Sequence, residues 1–386
     1  MTPLALALTA LLDRRAALGS LLESLVVVNS HSGNASGVNA VGNLLIEALA
    51  ALPLHLTVDT SAQGVRHLSF ATARAELEPN ILLIGHHDTV FPPGEFEGYS
   101  VHGDLAKGPG VLDMKGGLSI IVQVLHALHD AALLDQLPLR FVSVGDEEVG
   151  SPSSRALLEE LSPQARAALV FEAGRAGDLL ITARRGSGNA RVLAHGRAAH
   201  AGNALSEGRS AIWALAKFVD QVSASNGTIP GSSINVGLVR GGTARNTVPE
   251  QAVAELDLRF CDQVGQSAVE ALLHAAARAA ESAVEGTRLE VDVQITRKPW
   301  ARTAASRQLA ERYGVAQRAA GLLAGEASLI GGGSDANTVG ALGIPAIDGL
   351  GPRGSGFHTK NEQIELSSLL PKAEALLRFL LSECGI

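Results

Sequence analysis

The sequence predicts an α/β protein into which a smaller α+β domain is inserted. Three observations predict it. Short apolar runs, such as residues 80–85 and 139–144, alternate with helix-period patterns in the first half. A middle stretch switches to strands in which apolar and polar residues alternate. After Pro299 the first pattern returns. The length of 386 residues suits two to three domains, and 46% hydrophobic against 18% charged residues supplies a core. A formal net charge of −8 and only 3% aromatics argue against nucleic-acid partners and base-stacking platforms. Cys261 and Cys384 are the only cysteines, too few for a disulfide framework or a thiolate zinc site.

In chain order, residues 3–12 read as a first helix. Their apolar run lacks a preceding positive charge and a small-residue cleavage site, so a cytosolic protein without a signal peptide is expected. No run is expected to span a membrane, for none reaches about 18 apolar residues. Leu18, Leu21, Leu22 and Leu25 mark a second helix, and Val38, Val41, Leu45 and Leu49 a third. Residues 80–85 form a strand buried on both faces, Gly116 and Gly117 open a helix, and 139–144 and 167–171 are further buried strands. This alternation predicts a three-layer domain. Residues 189–196, 212–222, 234–239, 252–260, 269–276 and 289–296 then read as strand, helix, strand, strand, helix, strand. That order is the ferredoxin-like split βαβ arrangement, placed at residues 184–296. Residues 1–183 and 297–386 make the split α/β domain, with helices near 304–320, 335–342 and 366–383 and a strand at 344–350.

Ligands bind beyond the carboxyl ends of parallel strands. Here the predicted strand ends run into His86-His87-Asp88, Asp146-Glu147-Glu148 and Glu172, a turn carries Asp113, and a glycine loop leads to His358. Two imidazoles and three carboxylates without a thiolate suit zinc, cobalt or manganese, and suffice for two ions sharing a carboxylate. Such a site needs a base to carry a proton from water to the leaving amine, and Glu147, beside Glu148, is the candidate. Alternation puts His86 and Asp88 on one side and turns His87 away, so Asp88 orients His86.

The stretches Gly85-His86-His87-Asp88-Thr89, Gly110-Val111-Leu112-Asp113-Met114-Lys115-Gly116-Gly117, Asp146-Glu147-Glu148, Phe171-Glu172, Gly333-Ser334-Asp335 and Phe357-His358-Thr359 resemble the M20 family of zinc metallohydrolases in order and spacing. Within it the chain is most similar to the glutamate carboxypeptidase (carboxypeptidase G2) branch. The resemblance implies two zinc ions per subunit, with cobalt or manganese as alternatives. His86 and Glu172 would bind one ion, Glu148 and His358 the other, and Asp113 both. It implies a cis peptide at Asp113-Met114. It makes the inserted domain a lid and dimerisation domain, giving a cytoplasmic homodimer. There His200, in Gly196-Arg197-Ala198-Ala199-His200-Ala201-Gly202, would stabilise the oxyanion. Asn246 would touch the substrate carbonyl, Arg259 would bind its carboxylate, and Ser334 is carried over as a substrate contact. Arg297 is a weaker match to a basic position of that branch, a structural ion pair being its other reading. The chain departs from the branch in having His87 between His86 and Asp88 and Met114 after Asp113.

A small peptide or N-acyl amino acid is the implied substrate, with no nucleic-acid or membrane partner. The same chemistry serves N-acyl amino-acid deacylases such as acetylornithine deacetylase and succinyl-diaminopimelate desuccinylase. The segment 349–358 favours the carboxypeptidase branch. Gly349-x-Gly351-x-x-Gly354 formally matches a dinucleotide fingerprint, but Pro352, Gly354 and Gly356 deny it the helix it requires. A metal-free binding protein on the same fold is the remaining rival, disfavoured by the complete ligand set.

Overall fold

The computed structural model describes residues 1–386. The chain divides into two compact units. One comprises Met1–Ala183, Arg302–Ser328 and Ser334–Ile386, the other Arg184–Ala301 and Leu329–Gly333.

The first unit is built on a six-stranded sheet. Its strands are β1 (His55–Thr60), β2 (Arg66–Ala71), β3 (Asn80–His86), β4 (Leu139–Val144), β5 (Ala165–Val170) and, after the insertion, β10 (Ala346–Ile347). They lie in the order β1-β2-β4-β3-β5-β10. From β4 to β10 the pairing is parallel, and β2 and β1 extend the sheet antiparallel. Every residue of β3 and β4 is buried, which explains their unbroken apolar runs. Helices α1 (Pro3–Asp13), α2 (Arg15–Val26), α4 (Gly116–Asp130) and α10 (Leu369–Glu383) pack on one another, with Ile81, Leu83, Phe141 and Leu169 of the sheet in the same core. Helix α3 (Ala35–Leu49) joins them, α8 (Ala304–Ala319) packs on α10, and α5 (Ser154–Leu161) packs on α9 (Asp335–Ala341). Gly117 lets α4 meet the end of β5 closely, since a Cβ there would collide with the Phe171 carbonyl.

The stretch Val111–Asp130 is, by length and apolarity, long enough to cross a membrane, contrary to the expectation from sequence. Its apolar surface is instead spent on the core of this unit, most of α4 being buried. The strand expected at 344–350 is also shorter, since only Ala346 and Ile347 pair with Ala168 and Leu169. Gly349 takes φ +80°, and beyond it the Leu350 amide still donates to the Val170 carbonyl of β5 at 3.3 Å. Gly354 and Ser355 pair with Ile364 and Gln363, so no helix follows the dinucleotide-like glycines. The β1–β2 hairpin has no counterpart among the predicted elements, although Leu56 and Val58 alternate with polar residues in β1, which is largely exposed.

In the second unit β6 (Gly186–His195), β7 (Ser233–Gly241), β8 (Gln251–Phe260) and β9 (Arg288–Arg297) form an antiparallel sheet in the order β7-β8-β6-β9. Helices α6 (Ala211–Ser225) and α7 (Gln263–Ala283) cover one face, capped by Ser210 and Asp262. Val192, Ala254, Leu258, Phe218 and Leu273 fill the core between them. Strand order and connections are those of a ferredoxin-like domain.

Candidate metal centre

Five segments of the first unit deliver polar side chains to the carboxyl edge of its parallel strands. His86 ends β3. Asp113 lies in the tight turn Val111–Lys115 ahead of α4, where the Asp113-Met114 peptide is cis. Glu147 and Glu148 occupy the turn Glu147–Val149 after β4. Glu172 lies just past β5, and His358, at φ +61°, stands in the loop after β10. His86 is in register with Val144, and Ile84 with Val170, so these strand ends are side by side.

Asp113 stands between the two histidines. Its Oδ1 is 3.3 Å from His86 Nε2 and its Oδ2 is 3.3 Å from His358 Nε2. Glu172 Oε2 lies 3.7 Å from His86 Nε2, and Glu148 Oε2 lies 3.1 Å from His358 Nε2. The donor atoms of His86, Asp113 and Glu148 lie within 4.8 Å of one another, as do those of His86, Glu147 and Glu172. Asp88 is fully buried behind them. Its carboxylate is 3.3 Å from His86 Nδ1, and it accepts the amides of Glu147 and Glu148 at 3.1 Å each and the Ser32 hydroxyl at 2.6 Å. One carboxylate thus orients a histidine and anchors the turn bearing both glutamates. His87 points to the Ser143 hydroxyl, 2.8 Å away, and burial lowers its pKa to about 3. The Met114 sulfur receives the His86 amide at 3.2 Å.

The electrostatics follow from burial. Desolvation, then the charge of Asp113, pushes Glu172 up to about 8, and desolvation also lifts Glu148 to about 7. Asp113 is desolvated too, yet hydrogen bonds from His358 and His86 hold it below the usual carboxylate range. Burial opposes a charged His86, but Glu172, Asp113 and Asp88 outweigh it and raise that histidine well above its ordinary value. Hydrogen bonds to Asp113 and Glu148 raise His358 to about 10. Burial thus favours protons on Glu172 and Glu148, and the surrounding carboxylates favour them on His86 and His358. An all-oxygen and imidazole donor set with this excess of negative charge fits divalent cations of the zinc, cobalt or manganese type.

In the second unit His200 sits on the short strand Ala199–His200, in register with Thr247. Its Nδ1 accepts the amides of Gly202 and Asn203 at 3.1 Å each, so the neutral ring carries its proton on an exposed Nε2. The backbone carbonyl of Asn246 receives the Ala201 amide at 2.9 Å. Arg259 is engaged bidentately by Asp257, at 2.9 Å for both contacts. Arg259 and Arg297 are each in register with Ser187, from either side.

Residues 82–382 match the profile of Peptidase family M20/M25/M40. The chain belongs to this family. It is 29% identical over 362 residues to carboxypeptidase G2 of Pseudomonas sp. (strain RS-16), covering 92% of this chain and 87% of that one. Among solved structures, aminopeptidase PepT from Bacillus cereus superposes with a TM-score of 0.81 at 22% identity, over 96% of this chain and 99% of the other. A dinuclear metal-binding M20 peptidase from Bacillus subtilis gives 0.72 at 13% identity, over 97% and 99%. As an M20 family member the protein is a hydrolase, and the side-chain cluster at the sheet edge could hold metal ions.

One expected contact of this M20 chain does not fit its surroundings. Ser334 is buried as the N-cap of α9. Its hydroxyl accepts the Ala336 amide at 3.1 Å and donates to Asp348 at 2.8 Å, which leaves a role in substrate contact without support. Sequence reasoning assigned no role to Ser32 or to Glu362, although Glu362 closes the family-like stretch that begins at Gly356. Ser32 lies in a Gly/Ser/Asn loop with no pattern of its own. Glu362 has a signal in hindsight, a carboxylate four positions after the ligand-type His358.

Proposed function

We propose that this protein is a two-metal amidohydrolase that cleaves the amide bond beside a carboxylate-bearing amino acid, with C-terminal glutamate as the leading substrate. The observation that carries the reading is Asp113, each of whose oxygens is 3.3 Å from a different imidazole. His86, Glu172 and Asp113 would hold one ion, and Asp113, Glu148 and His358 the other. Divalent ions held there, zinc first with cobalt and manganese as alternatives, supply Lewis acidity toward the scissile carbonyl and the attacking water. Glu147 takes the proton from that water and gives it to the leaving nitrogen. Asp88 keeps His86 in orientation. His200 donates from Nε2 to the oxygen that gains charge, in its own or a second copy's site, and Asn246 contacts the carbonyl. Arg259 takes the substrate carboxylate in exchange for Asp257.

The second unit is read as the lid and dimerisation domain of a homodimer. Its edge strand β7 and the exposed Ile212, Trp213, Leu238 and Val239 support this. The chain's free cysteines, Cys261 and Cys384, support a cytoplasmic setting.

The test is amino-acid release by zinc- or cobalt-loaded protein. The panel holds folate-like and dipeptide substrates ending in glutamate, N-acetylornithine, N-succinyl-diaminopimelate and N-acetylated neutral amino acids. Release of C-terminal glutamate is expected. Release from the N-acyl biosynthetic substrates alone would reassign the enzyme as a deacylase with the same metal chemistry. Silence throughout, with both metals bound, would overturn the reading.

A further inference from the structure

The segment that carries His358 also reaches the turn that carries Asp113. Gln363 and Ile364 pair with Lys107 and Ala106, and the Gly108 amide continues the ladder to the Glu362 carbonyl at 3.4 Å. Beyond that point the Glu362 side chain takes over. Its Oε1 accepts the amides of Leu112 at 2.8 Å and Asp113 at 2.9 Å, and its Oε2 accepts that of Gly110 at 3.1 Å. These amides precede α4, where a turn has no helical carbonyls to bond them. Glu362 has no exposed surface, so water does not substitute for it.

We infer that Glu362 is a positioning residue of the metal centre: by holding the amides of Gly110, Leu112 and Asp113, it fixes Asp113 midway between His86 and His358. A carboxylate serving two sites tolerates displacement poorly, because a shift toward one imidazole is a shift away from the other. Residues 358–362 therefore supply one ligand and set the place of another. The inference rests on Asp113 being the shared ligand.

The experiment titrates metal-free wild type, Glu362→Ala, Glu362→Gln and Asp113→Asn with cobalt, reading affinity by equilibrium dialysis, the d–d absorption spectrum and Tm. Glu362→Ala is expected to weaken cobalt binding about 10–100-fold and to alter the spectrum. Glu362→Gln should do the same to a smaller degree, since it keeps Oε1 but sets an amide NH₂ against the Gly110 N–H. A residue that merely fills space would lower Tm and leave affinity and spectrum unchanged, and that result overturns the inference. Should Glu362→Ala not fold, wild-type affinity in Glu362→Gln overturns it alone. If Asp113→Asn loses an ion while both Glu362 variants bind as wild type, only the inference fails. If Asp113→Asn binds both ions as wild type, the shared-ligand reading fails first and the inference with it.

Discussion

Glu147 and Glu148 are adjacent carboxylates with different surroundings. Both amides donate to Asp88, yet Glu148 meets His358 at 3.1 Å while Glu147 groups with His86 and Glu172. Their division of labour decides the mechanism. If Glu147 is the base, Glu147→Gln keeps both ions and loses about 10²–10⁴-fold in kcat. Elemental analysis of the purified variant alongside its kinetics checks this. Loss of an ion with the activity would make Glu147 a ligand, and retained activity would remove it from proton transfer. The neighbouring histidines divide in the same way: His86 faces Asp113, and His87 faces Ser143 in the core. Period-2 alternation makes that division legible in the sequence, because both residues lie at the end of a strand.

At the scale of elements, legibility tracks burial. Strands β3 and β4 are buried at every position, and their apolar runs announce them. Strand β1 is largely exposed and its Leu56–Val58 alternation is short, and β10 pairs over Ala346 and Ile347 alone, with Asp348 and Gly349 directly after them. The candidate ligands at strand ends are legible as types and spacing. Ser32 reaches Asp88 and Glu362 reaches the amides of residues 110–113 across the fold, and although Glu362 stands near His358 in the sequence, neither contact is legible there. Asp178 is a third case. It is buried at φ +54°, accepts Arg353 at 2.6 and 2.9 Å and stands 3.2 Å from Lys372 Nζ, tying the loop toward His358 to the first turn of α10. Lys372 is itself buried, and burial lowers its pKa. Asp178→Ala would leave that ammonium uncompensated, so a loss of about 3–5 kcal/mol is expected by urea denaturation. A loss below about 1 kcal/mol would mean that Lys372 sheds its proton or finds water instead.

At the scale of the whole molecule, the metal centre makes stability depend on pH in a direction its charges dictate. Without metal, Glu148 and Glu172 hold their protons to about 7 and about 8, against 4.5 for an ordinary glutamate, burial being the main cause. His358 keeps its proton to about 10 rather than 6.5, through hydrogen bonds to Asp113 and Glu148. All three folded-state values are raised, so above pH 4.5 these three groups bind more protons in the folded metal-free chain than in the unfolded one. Their contribution to stability therefore falls as pH rises from there through about 10. His87, which burial lowers to about 3, opposes this up to pH 6.5, and Lys115, which burial lowers to about 7, opposes it above pH 7. Asp88 and Asp113 are shifted downward and act with the opposite sign, but their contribution is lost only on acidification below the usual aspartate range. Divalent ions replace these protons, so metal binding releases protons and tightens with pH. A ligand at a hundred times its Kd adds about 2.7 kcal/mol, and here Kd itself drops as the competing protons leave. The gap in Tm between zinc-loaded and EDTA-treated protein should widen from pH 5.5 to pH 8.5, with the metal-free Tm falling over the same range. Calorimetry in buffers of different ionisation enthalpy should register proton release on zinc binding at pH 6.5. A gap independent of pH, or binding without proton release, would mean that the cluster at the sheet edge does not exchange protons for metal and that these ions bind elsewhere.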